Sequence, residues 1–74
     1  MVMTAIVTLV PATTLMEAQK SAVSLGIIRE MFSGDNNVTV KGGQGLITFD
    51  DSYLEKAQQI INKNVHGCYL YVVR

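Results

Sequence analysis

Val38-Thr39-Val40-Lys41-Gly42-Gly43-Gln44-Gly45-Leu46-Ile47-Thr48-Phe49 is two short alternating segments on either side of a glycine-rich turn. Val38 to Lys41 and Leu46 to Phe49 each repeat with period two, the mark of a strand buried on one face. Three glycines in the four residues between them supply the backbone freedom that a reversal requires. A β-hairpin is therefore predicted here, and the segments flanking it decide the fold.

Upstream, Ser33-Gly34-Asp35-Asn36 is a turn signal, and before it lies an apolar stripe at helical spacing. Thr14-Leu15-Met16-Glu17 has the T-x-x-E spacing of a capping box, in which hydroxyl and carboxylate satisfy the first free amides of a helix. Leu15, Ala18, Ala22 and Leu25 share one face, and Ile27, Ile28, Met31 and Phe32 continue the pattern past Gly26. One helix reaching about Phe32 is predicted. Ala5 to Val10, β-branched and closed by Pro11, reads as a strand apolar on both faces, which belongs at the middle of a sheet.

Downstream, Asp50-Asp51 lead into Ser52-Tyr53-Leu54-Glu55, a second capping box, and Leu54, Ala57, Ile60 and Ile61 give the following helix an apolar face as far as Lys63-Asn64. Cys68 to Val73 reads as a last strand. The resulting order is β-α-β-β-α-β in one domain spanning residues 1–74. The fold class expected is α+β, ferredoxin-like: a four-stranded antiparallel sheet with its first and third strands central and two helices on one face.

Strand parity then divides the residues between two faces. Ala5, Val7, Leu9, Val38, Val40, Ile47, Phe49, Leu70 and Val72 are expected to meet the helices. Thr4, Ile6, Thr8, Thr39, Lys41, Gln44, Leu46, Thr48, Tyr69 and Tyr71 are expected on an open face, polar enough for water and apolar enough to bind something.

From Phe32 to Arg74 the chain resembles an RNA recognition motif. GQGLITFDD stands where that family has its third-strand signature, AQQII where it has its second helix, and YLYVV where it has its last strand. The resemblance implies an exposed sheet that stacks bases on aromatic rings. At the two stacking positions this sequence has Gln44 and Leu46, and Lys41 lies one place out of register with the family's basic residue. Each stacked base contributes about 1 to 3 kcal/mol, so these replacements remove most of the affinity such a module relies on. Single-stranded nucleic-acid binding through Lys41, Tyr69, Tyr71 and Arg74 is the weaker alternative.

Charge points the same way. Six basic residues balance six acidic ones across 74 residues, leaving no excess field to attract a polyanion or an anionic membrane. Cys68 is the single cysteine, so no internal disulfide forms and a reducing, cytoplasmic setting is expected. No apolar run approaches the roughly 20 residues of a membrane span, and no basic region precedes the first one as in a signal peptide.

The residues that could carry chemistry are few. In Lys41 to Gly45 the glycines lead into a strand, whereas a phosphate cradle leads into a helix N-terminus. His66-Gly67-Cys68 lacks the further ligands a zinc site needs, and Asp50-Asp51 at a helix start is accounted for by capping. The expectation is a small non-enzymatic interaction or regulatory module without catalytic residues, metal or cofactor. Its partner, another protein or a second copy, meets the open sheet face (Ile6, Thr8, Thr39, Lys41, Gln44, Leu46, Thr48, Tyr69 and Tyr71) or an edge strand.

Overall fold

The computed structural model describes residues 1–42, 45–64 and 67–74. It contains strands β1 (Val2–Thr8), β2 (Val38–Val40), β3 (Leu46–Asp50) and β4 (Tyr69–Val73), and helices α1 (Leu15–Lys20), α2 (Leu25–Met31) and α3 (Leu54–Lys63). The strands form one open antiparallel sheet in the order β2-β3-β1-β4, with β1 and β3 central. The hairpin pairs Val38 with Phe49 and Val40 with Ile47. Of its predicted turn, Gly43 and Gln44 lie outside the described residues.

The sequence-based expectation differs from the structure at the first crossover. Instead of one helix to Phe32, the chain forms two short ones, interrupted at residues 21–24. β3 stops at Leu46, so the last residues of β1 have backbone groups on that side without a strand partner. Residues 21–23 supply one: the Val23 amide donates to the Val7 carbonyl, the Leu9 amide donates to the Ser21 carbonyl, and Ala22 bridges Thr8. These bonds take residues 21–23 out of helical geometry.

α1 opens with the predicted capping box, in which Thr14 Oγ1 accepts from the Glu17 amide at 3.2 Å and Glu17 Oε1 accepts from the Thr14 amide. The second predicted box does not form. Asp50 caps a 3-10 turn over Asp51–Tyr53, accepting from the Ser52 amide at 3.0 Å, and α3 begins only at Leu54. That turn is tied to the loop after α2 by the Tyr53 hydroxyl, which donates to Asp35 Oδ2 at 2.5 Å.

Gly26 is the second residue of α2 and not a C-terminal cap, and a methyl group there would meet nothing within 4 Å. Gly26→Ala is therefore expected to raise the unfolding free energy by about 0.5 to 1 kcal/mol, by narrowing the unfolded ensemble and favouring the helix. Urea denaturation measures it.

One cluster unites the inner sheet face with α2, α3 and their flanks: Ala5, Val7, Val23, Ile28, Phe32, Val38, Ile47, Phe49, Ile61 and Cys68, with Val40 and Leu70 packed against it. Parity is thus right for the core. Three residues, Leu9, Ile6 and Thr8, depart from the expectation, and Val72 is half-buried outside this cluster. Leu9 is 53% exposed because β1 ends at Thr8, and Ile6 and Thr8, assigned to the open face, are 1% and 0% exposed.

Candidate protein-interaction surface

The outer face is built around β1, whose even-numbered residues point away from the core cluster. Ile6 stands beside Leu46 of β3 and Tyr71 of β4, and Thr8 stands beside Tyr69. α1 approaches β1 and β4, and its Ala18 is fully buried without belonging to the main core cluster. Thr8 Oγ1 donates to the Val10 carbonyl at 2.7 Å, which folds the chain over the end of the strand. Ile6 and Thr8 are hence part of the protein's interior and cannot contact a partner.

The remaining expected contact residues separate into two groups. Thr39 and Lys41 are exposed at the β2 side, with Leu46 and Thr48 half-buried beside them; Tyr69 is 43% exposed and Tyr71 half-buried on β4. β3 and β1 lie between, so Lys41 and the tyrosines are three strand spacings apart, about 14 Å. Gln44 lies outside the described residues. Among the described residues no continuous basic and aromatic track joins Lys41 to the tyrosines across this face.

Sequence reasoning gave less weight to the sheet's edges. β2 is an edge of only three residues, followed by an exposed lysine, both features that discourage further pairing. β4 is different. Its five residues pair with β1 without a bulge and contain no Lys and no Pro.

The backbone phase of that edge follows from the bonds of β1. Val7 donates to Gly45 and accepts from Val23, both on the side away from β4, so Ile6 and Thr8 turn their amides and carbonyls toward β4. Their partners Tyr71 and Tyr69 are the hydrogen-bonded positions of β4. Leu70 and Val72 consequently turn their backbone groups to the free edge, where no described strand pairs with them. Clefts border both ends of this strand. One, of about 320 Å³, lies between Pro11, Ala12, Gln58, Asn62, Tyr69 and Leu70, and the other, of about 410 Å³, includes Thr4, Asp51, Val72, Val73 and Arg74.

No family model, curated protein or solved structure matches this chain. Its chemistry is therefore read from its own residues alone. Cys68 is a free, buried cysteine, and burial pushes its thiol above the usual value, opposite to the shift that activates a nucleophile. His66, its neighbour in the sequence, lies outside the described residues. Among the described residues no group of three metal-ligating side chains comes together, and every buried side-chain polar atom has a hydrogen-bond partner. No described helix is long and apolar enough to cross a membrane.

The ionised groups with shifted affinities are explained by local bonds. The Tyr53 hydroxyl, and then the Asn37 amide, hold Asp35 below its ordinary value. This tether is complete at neutral pH and is lost as acid protonates Asp35. Asp50 is lowered chiefly by the chain's terminal ammonium, 2.9 Å from Oδ1, with further bonds from Ser52. Both carboxylates serve loop geometry.

Proposed function

We propose that this chain is a non-enzymatic protein-interaction module that engages its partner by adding a strand to the free edge of β4, with Tyr69 and Tyr71 contributing side-chain contacts. The observation that carries it is the outward backbone of Leu70 and Val72, in an edge strand without Lys, Pro or a bulge. Strand addition derives its affinity from main-chain bonds and its selectivity from alternate side chains, here Tyr69, Tyr71 and Val73 on the outer face. The strand order and the two crossovers support a ferredoxin-like assignment, with the first crossover divided between α1 and α2.

The test is affinity capture with the native chain and with Val72→Pro. The Val72 amide faces away from β1, so proline there removes an outward donor and spares the bonds that hold β4 in the sheet. Circular dichroism establishes that the variant is folded. Proteins retained by the native chain should be lost with the variant; an unchanged set overturns the reading. Titration with mixed single-stranded oligonucleotides at low salt is the companion measurement, and salt-sensitive binding that survives Val72→Pro would favour the nucleic-acid alternative instead.

A further inference from the structure

Resting on that reading, we infer that Gln58 and Asn62 of α3 determine specificity at the β4 edge: they form the subsite for one side chain of the added strand, the carboxamide of an Asn or Gln opposite Leu70.

The geometry begins with the strand. A chain that bonds to the outward amide and carbonyl of Leu70 sets one of its own residues opposite Leu70, and residues so paired put their side chains on the same face of the sheet. Leu70 packs against the core cluster, on the face covered by α3, and α3 runs beside β4. The incoming side chain therefore enters the space between the sheet edge and α3. That side is open, since no described strand lies beyond β4.

What the side chain meets there is the cleft of about 320 Å³ at the start of β4. Gln58 and Asn62 are one helical turn apart, so they share a face of α3, and both are exposed. Pro11 and Ala12, from the turn after β1, complete the lining with Tyr69 and Leu70. The volume lies at the low end of the roughly 300 to 1,000 Å³ of small-molecule sites, which suits a single side chain.

The two amides select which side chain. Each presents a carbonyl oxygen that accepts and an NH₂ group that donates, and a carboxamide from the added strand offers both in return. An apolar side chain offers neither, so the amides would lose water without replacement. A carboxylate accepts but cannot donate, an ammonium donates but cannot accept, and none of the described lining residues carries a charge to offset the desolvation of either. The edge thus reads main chain through β4 and one side chain through α3.

Selection from a phage-displayed library of random heptapeptides on the immobilised full chain tests this. Aligned peptides should carry Asn or Gln at one position, and Asn62→Lys should convert that position, and no other, to Asp or Glu. Asn62 is exposed in the last turn of α3, where a cation is favourable, so the variant keeps its fold, which circular dichroism checks. For a peptide of the selected sequence, Gln58→Ala and Asn62→Ala should each weaken binding about 2- to 10-fold, the loss of one hydrogen bond. Val72→Pro should abolish it. An apolar or charged residue at the selected position, or a preference that Asn62→Lys leaves unchanged, overturns the inference; if Val72→Pro still abolishes retention, the edge-binding function stands. Peptides retained equally by Val72→Pro, or no peptide retained by the native chain, overturn both. Sedimentation velocity at the selection concentration covers the remaining occupant: a dimer of twice 8.1 kDa that Val72→Pro dissolves puts a second copy on the edge and overturns the inference alone.

Discussion

Ile6→Ala is expected to lower the unfolding free energy by about 2 to 4 kcal/mol, the cost of a cavity at a buried isoleucine. Ile6 is 1% exposed at the centre of β1, between Leu46 and Tyr71. A 74-residue domain has roughly 4 to 11 kcal/mol in total, so this one truncation removes a large share and should lower the melting temperature by about 10 to 25 °C. Were the outer face open at this position, the same substitution would cost about 1 kcal/mol or less, the span of strand propensity at a solvated site. Urea denaturation separates the two cases. A double-mutant cycle with Tyr71→Ala adds a sharper readout, since side chains at one register position of adjacent strands should couple by about 0.5 to 1 kcal/mol. A loss under 1 kcal/mol would mean that Ile6 is not enclosed.

That result bears on why the sequence was informative about direction and silent about exposure. Alternation fixes which way a strand residue points, and it placed Ala5, Val7, Val38, Ile47 and Phe49 in the core correctly. It places Ile6 and Thr8 on the opposite side just as firmly. Whether that side is wet depends on neighbours far along the chain, on the tyrosines of β4 and on the path of α1, and no local pattern encodes them. The expected contact surface therefore lost its middle. What remained was the edge of β4, whose lack of Lys, Pro and bulge is plain in Tyr69 to Val73 once its place at the end of the sheet is known.

The divided first crossover has a similar origin. Apolar spacing runs from Leu15 through Ala22 to Phe32 without a break, so periodicity favours a single helix. Backbone bonds at residues 21–23 compete with that preference and win, since the end of β1 offers a carbonyl at Val7 and an amide at Leu9 that β3 is too short to reach. Buried main-chain groups demand partners, and helix propensity over three residues is weak by comparison. The length mismatch between β1 and β3 appears only after the sheet is assembled.

Gly45 is where this arrangement is most exposed to substitution. Its φ is +69°, and a methyl group there would lie 3.0 Å from the Val23 carbonyl oxygen and 3.3 Å from both Ala22 Cβ and Ile28 Cδ1. Gly45→Ala is expected to destabilise the domain by about 2 to 4 kcal/mol, combining left-handed strain with overpacking against backbone that cannot move freely. Gly34→Ala is the control: φ is +78° but the site is open, so only the strain of about 1 to 2 kcal/mol applies. The difference between the two variants isolates the packing of residues 22–23 on the start of β3. Hydrogen exchange locates the damage, since the Val23 amide, bonded to Val7 at 2.8 Å, should lose protection in Gly45→Ala and keep it in Gly34→Ala. Equal losses of stability in both variants would mean that the short strand-like segment before α2 does not rest on Gly45, and the physical account of why the first crossover is two helices would fall with it.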